Sequence, residues 1–176
     1  GYGSVTQVTL NPGTGSSSTY SGVIADGAPG MNVVKSGAGT QVLTGTNTYT
    51  GPTIVTGGTL SVATLANGGS NSSIGASSNA AGNLILNGGT LEYTGAGNTT
   101  DRLFSLQSSS TINSSGSGAV NFNNTGAMGF SSSTADKTFT LTGTNTDANR
   151  RQVLRVGRSN YCVERINRGL IWQSAK

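Results

Sequence analysis

Carboxylates are the residues of this chain best suited to chemistry, because paired acids can act as general acid and general base. The chain has six of them, which are Asp26, Glu92, Asp101, Asp136, Asp147 and Glu164. They are single and widely separated, whereas a polysaccharide-cleaving site needs several carboxylates in one groove. Asp101 precedes Arg102, and we interpret it as a turn residue paired to its neighbour. The sequence therefore favours a protein that is not an enzyme, and a polysaccharide-acting enzyme is kept as an alternative.

Other catalytic and metal-binding classes are limited by residue counts. Histidine is absent and Cys162 is the single cysteine. Ser-His-Asp and Cys-His arrangements, Cys/His zinc sites and intrachain disulfides are therefore excluded. A calcium-binding β-roll would need aspartates repeated at a fixed spacing, which Asp136 and Asp147 alone do not supply. We expect no catalytic, cofactor-binding or metal-binding residues.

Threonines alternate with other residues in segments 44–50 and 138–146. A flat array of stacked threonines could bind ice, but it would need several consecutive coils in one register. The two segments lie about 94 residues apart, and threonine also favours strands for its own reasons. Ice binding is therefore kept only as a further alternative.

Basic charge is concentrated at the end of the chain. Seven of the ten basic residues lie in 150–176, and they are Arg150, Arg151, Arg155, Arg158, Arg165, Arg168 and Lys176. Such a segment could bind nucleic acid or anionic lipid, but no nucleic-acid module accompanies it, so we expect no nucleic-acid partner. No run of 18 apolar residues occurs, so we expect no membrane-spanning helix. The chain begins without Met, and we expect it to be a piece of a longer protein.

The elements that would carry these residues are short strands punctuated by glycine. Charged residues are 9% and aromatic residues 6% of the chain, while glycine supplies 28 residues. The segment 57–62 (GGTLSV) recurs 31 residues later as 88–93 (GGTLEY), and 43–48 (LTGTNT) recurs as 141–146. Recurring turn-plus-strand units that are too short to fold alone are typical of stacked coils. At 20–25 residues per coil, residues 1–149 would form about six or seven coils.

β-branched runs bounded by turn residues predict the individual strands. The predicted strands are 5–10, 20–24, 31–35, 40–43, 53–55, 59–62, 83–86, 90–93, 102–106, 110–112, 119–122 and 137–141. Segment 95–100 is predicted to be a turn, and 63–82 a loop that bulges outward with an isolated Ile74. The expected inward side chains of the later strands are Leu103, Ile112, Val120, Phe122, Phe139 and Leu141. Asn47, Asn87 and Asn145 occupy turn-like positions where stacked amides could satisfy the bends.

Residues 33–62 read VVKSGAGTQVLTGTNTYTGPTIVTGGTLSV. They resemble the autotransporter passenger-associated β-strand repeat, whose pattern is roughly KxGxGTLTLTGxNTYTGxTTVxxGTLxV. The chain departs from it at Gln41, where an apolar residue is usual, and at Pro52, where glycine is usual. Residues 83–149 resemble the degenerate coils that often follow such repeats.

The resemblance implies an all-β fold, a right-handed parallel β-helix, in the exported passenger of a large bacterial surface protein. It also implies an extracellular or cell-surface location and a role in passenger secretion and folding. Seven residues of the repeat are expected at structural positions, namely Gly37, Gly39, Leu43, Tyr49, Gly51, Gly58 and Leu60.

Two parts of the chain are distinguished by composition. Residues 1–149 are predicted to be β-helix coils, with the clearest repeat at 31–62. Residues 150–176 share neither composition nor rhythm with the rest. They are either foreign to the parent protein or an end cap, in which Ile166, Leu170, Ile171 and Trp172 could cover the last coil.

The leading functional interpretation is a structural stalk segment of an exported surface protein. The alternative is an adhesin-type binding module that contacts cell-surface glycans or proteins through the 63–82 loop. Exposed end coils also make self-association plausible.

Overall fold

The computed structural model describes residues 3–132 and 136–144 in full, and the backbone of 161–166 and 169–174. This part of the chain is all-β, with one short 3₁₀ turn at Ala81–Asn83, and it contains no helix that could span a membrane. Its strands in chain order are β1 (Gln7–Leu10), β2 (Ser17–Tyr20), β3 (Asn32–Lys35), β4 (Thr40–Leu43), β5 (Thr53–Val55), β6 (Thr59–Val62), β7 (Leu84–Asn87), β8 (Thr90–Tyr93), β9 (Ala96–Thr100), β10 (Ser105–Ser108), β11 (Ser110–Ser114), β12 (Gly118–Phe122), β13 (Gly129–Phe130), β14 (Phe139–Thr142), β15 (Tyr161–Ile166) and β16 (Gly169–Ser174).

Two six-stranded parallel sheets form the body of the molecule. The first sheet has the order β1-β3-β5-β7-β10-β13, and the second has the order β2-β4-β6-β8-β11-β14. Strands β1 to β8 therefore alternate between the sheets, and each turn of the chain adds one strand to each sheet. The result is a parallel β-solenoid of about five turns, with six rungs in the described residues. The parallel β-helix predicted from the sequence is confirmed.

A third face is present in the later coils, where β9 pairs in parallel with β12. The prediction of a turn at 95–100 is wrong, because β9 occupies 96–100. Glycine and asparagine disfavour strands in isolation, but pairing with β12 supplies the backbone partners that local propensity does not.

The coils differ in length while the strands stay paired, with one register shift between β7 and β10 at Leu106 and Ser108. In the first sheet, residues paired on neighbouring strands are 25, 20, 31, 20 and 24 positions apart in the sequence, counted from the first coil onward. The 31-residue coil contains the 63–82 loop, and it explains the first sequence recurrence, because Thr59 lies beside Thr90 and Leu60 beside Leu91. The second recurrence is not in register: Leu141 lies in the column of Gln41, not in that of Leu43.

The core is a thin stack of inward side chains between the sheets. Val33, Val55, Leu60 and Leu86 are fully buried, as the alternation of residues along a strand predicts. Of the inward positions expected in the later strands, Ile112 and Phe122 are buried, and Val120, Phe139 and Leu141 pack against the core while half-buried.

The inward assignment of Leu103 is wrong. Leu103 is half-buried, while Arg102 and Phe104 on either side of it are only 2% exposed. The apolar residue was expected inside because burying an unpaired cation is costly. Here the guanidinium is buried with all its hydrogen bonds made, so the opposite set of side chains points inward.

Corner glycines determine how closely coils approach. A Cβ added at Gly39 would overlap the carbonyl oxygen of Gly13 in the coil before, and one added at Gly58 would overlap that of Gly39. Gly58 also has a φ of 55°, which L-residues with side chains rarely adopt. Of the other positions expected to be structural, Gly37 and Gly51 meet the same obstruction, while Leu43, Tyr49 and Leu60 are fully buried.

In the 150–176 segment, the described backbone forms an antiparallel pair of β15 and β16. The expectation that Ile166, Leu170, Ile171 and Trp172 cover the last coil concerns side chains outside the described residues, and the division at residue 149 stays a prediction.

Candidate functional site

Asp26, Glu92 and Asp101 are each held in a separate hydrogen-bond network, and Asp136 is exposed. The carboxylate of Asp26 accepts hydrogen bonds from the amide and hydroxyl of Thr50, at 2.9 and 2.6 Å. Partial burial acts to raise the pKa of Asp26, but hydrogen bonds from Thr50 and from the backbone of Met31 and Gly30 outweigh it and lower the pKa. Glu92 accepts from Asn113 Nδ2 at 3.0 Å. These partners are what a structural carboxylate needs, and they bring no second acid to either residue.

The outer face of the second sheet carries a continuous threonine column. Thr40 lies beside Thr59, Thr59 beside Thr90, Thr90 beside Thr111 and Thr111 beside Thr140. Five consecutive rungs thus present the same side chain in one register, at the inter-strand spacing of about 4.8 Å. The column joins residues of different coils, so the threonine runs along segments 44–50 and 138–146 of the sequence do not reveal it.

A groove of about 400 Å³ runs beside this threonine column from Thr59 to Thr140. Thr59, Thr90 and Thr111 line it on one side, and Gly58, Gly88 and Gly89, which come just before them, line the corner. These glycines let neighbouring coils approach closely at this corner, because a Cβ added at Gly58 would meet Gly39 O and one added at Gly89 would meet the side chain of Val55. The lining consists of hydroxyl groups and backbone, without charge or aromatic rings, so the groove suits a neutral polar ligand.

The neighbouring outward column is more varied. Thr19, Val42, Ser61, Glu92, Asn113 and Thr142 occupy it in rung order. Asn113 donates to Glu92, and its Oδ1 accepts from the Ser115 hydroxyl at 2.6 Å. Neither Glu92 nor Asn113 is among the residues that line the groove.

The 63–82 loop is folded against the solenoid by Arg102. Arg102 Nε donates to Ala66 O at 2.9 Å, and Nη2 donates to Gly75 O at 3.0 Å and Ser70 O at 3.3 Å. Nη1 donates to the carbonyl and hydroxyl oxygens of Ser77 at 2.9 and 3.0 Å. Burial lowers the pKa of this guanidinium, and five hydrogen bonds compensate the charge. The loop therefore does not bulge outward as predicted, and Ile74 within it is fully buried.

Asp101 fixes the outer side of the same loop. Its Oδ1 accepts from Gly68 N at 2.7 Å, and its Oδ2 accepts from Asn79 Nδ2 at 3.1 Å. The predicted pairing of Asp101 with Arg102 is present as an attraction between their charges, which acts to raise the pKa of Arg102, while both residues hydrogen-bond to the preceding loop. The adjacency in sequence was real, but on a strand-like backbone neighbouring side chains point to opposite sides.

Two buried polar residues tie the repeat together. Asn47 Oδ1 accepts from Ile24 N at 2.8 Å in the coil before, and Nδ2 donates to Ser73 O at 2.7 Å in the coil after. Asn47 thus satisfies bends as predicted, whereas Asn87 is exposed and Asn145 lies outside the described residues.

Lys35 is fully buried, and its Nζ donates to the carbonyl oxygens of Ser36, Gly37 and Gly57. Burial lowers the pKa of Lys35.

Gln41, one of the two departures from the repeat pattern, is also accounted for. It is 6% exposed, and its Nε2 donates to Ser18 O at 3.1 Å and Val42 O at 3.2 Å. The amide therefore bonds to the rung before it, where an apolar side chain would only pack.

Comparison with known proteins agrees with this architecture. A family model described as the passenger-associated-transport-repeat matches residues 33–62. The chain is 46% identical over 145 residues, 81% of its length, to a protein named adhesin BmaC autotransporter from Brucella suis biovar 1 (strain 1330). The chain spans only 4% of that relative's length. Among solved structures, none matches the chain significantly. The chain therefore carries an autotransporter passenger repeat at residues 33–62, within a β-solenoid segment that belongs outside the cell or on its surface.

Proposed function

We propose that this chain is a stalk segment of an exported bacterial surface protein and that it assists folding and secretion of the passenger. The observation that carries the proposal is the unbroken parallel ladder from β1 to β13 and from β2 to β14. Six rungs at about 4.8 Å extend the segment by about 24 Å along its axis. Because hydrogen bonds run along that axis in both sheets, the segment resists bending and stretching as a spacer should.

Hydrogen bonds between coils support the role in folding. The side chains of Asn47 and Arg102 bond to the backbone of the preceding coil, so each coil is completed when the next one docks. Every docked coil also buries several apolar side chains, each worth about 1.5–3 kcal/mol, against the entropy of ordering the backbone. Coil-by-coil folding outside the membrane would then oppose return of the chain.

The test is export of the chain fused to an autotransporter translocator. Surface display is measured over time by protease accessibility for the wild type, for Gly39→Ala, which obstructs coil stacking, and for Gly82→Ala. The added Cβ at Gly82 meets no atom within 4 Å, so that variant is the matched control. We expect slower display for Gly39→Ala alone. Equal display of the three would contradict the role in secretion.

A second candidate function is binding of a neutral glycan in the threonine groove. The specific observation in its favour is the column of hydroxyls along the groove, and the relative in the comparison is named an adhesin. The 63–82 loop is the weaker candidate for an adhesive surface, because its carbonyl groups are turned toward Arg102.

Valine substitutions test the glycan proposal, because valine keeps the shape of threonine and removes the hydroxyl. The wild type is applied to a glycan array, and a bound neutral glycan is titrated against Thr90→Val, Thr111→Val and Thr40→Val. Thr40 belongs to the same column but does not line the groove. We expect about tenfold weaker binding for the first two variants and no change for Thr40→Val. An array without neutral ligands, or equal loss in all three variants, would contradict it.

We propose no enzymatic role and no ice binding. Asp26, Glu92 and Asp101 bond to different groups, which does not favour a hydrolytic pair, and the fourth described acid, Asp136, is exposed. The threonine column is single, since the next column holds Val42, Glu92 and Asn113. Release of sugar from acidic polysaccharides, or thermal hysteresis in solution, would overturn these two statements respectively.

A further inference from the structure

Two Asn-Gly pairs occur in the chain, Asn67-Gly68 and Asn87-Gly88. Asparagine is a thermolabile residue, and before glycine it is especially reactive, because the backbone nitrogen of the glycine can attack the side-chain amide carbon. A Cβ on the second residue would hinder that attack, and glycine has none. Each pair has a coil before it and a coil after it in the described solenoid, so the fold defines the surroundings of both.

The Asn67-Gly68 pair is held at both reacting groups. Asn67 Oδ1 accepts from Asp101 N at 3.0 Å, and Gly68 N donates to Asp101 Oδ1 at 2.7 Å. The attacking nitrogen and the amide that it would attack are therefore both bound to the same residue of the following coil. Ring closure would have to break these two hydrogen bonds, so the fold protects this pair.

The Asn87-Gly88 pair is less restrained. Asn87 ends β7 and is exposed, and its side chain makes no hydrogen bond within the part of the chain that the structure describes. Gly88 follows at a corner with a φ of 110°, and its amide donates to Ser110 Oγ at 2.9 Å. A neutral hydroxyl thus holds the attacking nitrogen, while the amide of Asn87 is left accessible to it.

We propose that Asn87 is a site of spontaneous deamidation in the folded protein and that Asn67 is protected from it. Gly88 N loses its proton and bonds to Asn87 Cγ, the Cγ–Nδ2 bond breaks, and ammonia leaves with the proton. Water then opens the cyclic imide at either of its carbonyl carbons, which gives aspartate or isoaspartate. The reaction needs only water, and the inference does not depend on either proposed function.

The modification changes the corner of the threonine groove. Either product lowers the net charge by one and places a carboxylate directly before Gly88, which lines the groove with Gly89. Isoaspartate also adds a carbon to the backbone where space is short, since a Cβ at Gly89 would meet the Val55 side chain and Gly57 N. We therefore expect isoaspartate at position 87 to lower the free energy of unfolding, and Asn87→Asp to leave it close to that of the wild type.

Peptide mapping of the full chain tests the proposal. The protein is incubated at mildly alkaline pH, folded and in parallel in urea, and trypsin then releases residues 36–102 as one peptide, because no Lys or Arg lies within 36–101. Fragmentation in the mass spectrometer assigns each amide-to-acid conversion to Asn67 or Asn87.

We expect both asparagines to convert in urea, which shows that the fold and not the sequence distinguishes them. In the folded chain, Asn87 should convert at least about tenfold faster than Asn67, because a hydrogen bond to a charged carboxylate holds Gly68 N. Equal rates at the two positions in the folded chain would overturn the proposal. So would a folded chain in which Asn87 stays intact while the chain in urea converts.

Two variants test the restraints separately. Ser110→Ala removes the acceptor of the Gly88 amide and should speed conversion at Asn87 about fivefold, the factor that corresponds to one hydrogen bond. Asp101→Ala removes the acceptor of the other pair and should allow Asn67 to convert. The control is Asn87→Gln, whose longer side chain would need a larger ring, so the acid at position 87 should disappear. Variants that are folded by circular dichroism and convert at wild-type rates at both positions would contradict the assigned restraints.

Discussion

Arg102 Nη1 donates to both the carbonyl and the hydroxyl oxygen of Ser77, at 2.9 and 3.0 Å. The two residues are 25 positions apart, and they join the start of one coil to the long loop of the coil before it. The buried guanidinium of Arg102 occupies an inward position of the kind that apolar side chains fill elsewhere in this core. The loop is therefore ordered by a cation whose five donors all reach uncharged groups.

Replacing Arg102 should loosen this loop before the rest of the solenoid. Arg102→Met removes five hydrogen bonds, each worth about 0.5–1.5 kcal/mol net. The carbonyl oxygens of Ala66, Gly75 and Ser77 each keep one other donor, so the loss comes from the removed bonds. We expect the free energy of unfolding to fall by about 3 kcal/mol or more, and amide exchange to accelerate across 65–77. Arg102→Lys keeps the charge with three donors, and its loss should be intermediate. Equal stability of wild type and Arg102→Met in urea would contradict this account.

Adding one methyl group at a corner should test the coil spacing. Gly39→Ala places a Cβ against the carbonyl oxygens of Gly13 and Ser16, so the two coils must separate. Overpacking of this kind costs about 1–3 kcal/mol, and we expect a loss in that range by thermal or chemical unfolding. Gly82→Ala, whose Cβ enters open space, is expected to leave stability within about 0.5 kcal/mol. Similar losses in both variants would show that coil spacing is not the cause.

Asn47→Asp should make the free energy of unfolding depend on pH in the acidic range. The aspartate would still accept from Ile24 N, but an oxygen would replace the amide nitrogen that donates to Ser73 O. A deprotonated carboxylate facing a carbonyl repels it, while a protonated one can donate. We therefore expect Asn47→Asp to be destabilised at neutral pH and to recover part of the loss as pH falls below about 5.

The matched comparison for Asn47→Asp is Asn87→Asp at an exposed position. It should lack this pH dependence when unfolding is followed by circular dichroism across pH. A flat pH profile for both variants would contradict the assigned hydrogen bonds of Asn47.

Tyr49 should make the fold sensitive to alkali. Burial raises the pKa of its phenol above the usual 10.0, and this effect exceeds the opposing hydrogen bond to Thr53 and the charge of Arg102. The unfolded chain therefore ionises Tyr49 first, so its contribution to stability is complete below pH 10 and is lost as pH rises above it.

Tyr49→Phe isolates this alkaline effect. It removes the 2.6 Å contact between the phenol and Thr53 Oγ1, at about 1 kcal/mol near neutral pH, and it cannot ionise. The stability difference between the two proteins should shrink as pH rises past 10. A difference that stays constant across that range would contradict the buried phenol.

The local sequence pattern was sufficient to predict the bounds of four strands. The structure places β4, β5, β6 and β8 at the predicted bounds of 40–43, 53–55, 59–62 and 90–93. Each starts within two residues of a glycine and consists mainly of β-branched or apolar residues, so propensity and tertiary pairing agree. Further along the chain, β9 departs from its own propensity because β12 supplies the pairing.

The threonine column and the role of Arg102 could not be read from spacing. Thr40, Thr59, Thr90, Thr111 and Thr140 are aligned although 19, 31, 21 and 29 residues separate them. No fixed period connects them, because the coils absorb different lengths at their corners. A buried arginine is likewise invisible to hydrophobic patterning, since its partners are backbone carbonyls that every sequence contains.

The longest coil has a practical consequence for protein engineering. Its additional residues form a loop at one corner, folded against the solenoid, while Thr53 still pairs with Leu84 and Thr59 with Thr90. Peptides of foreign sequence could therefore be inserted beside the exposed Asn71, with Ser70 retained because its carbonyl oxygen binds Arg102. The segment would then serve as a display scaffold that holds a grafted epitope at a fixed height along a rigid axis.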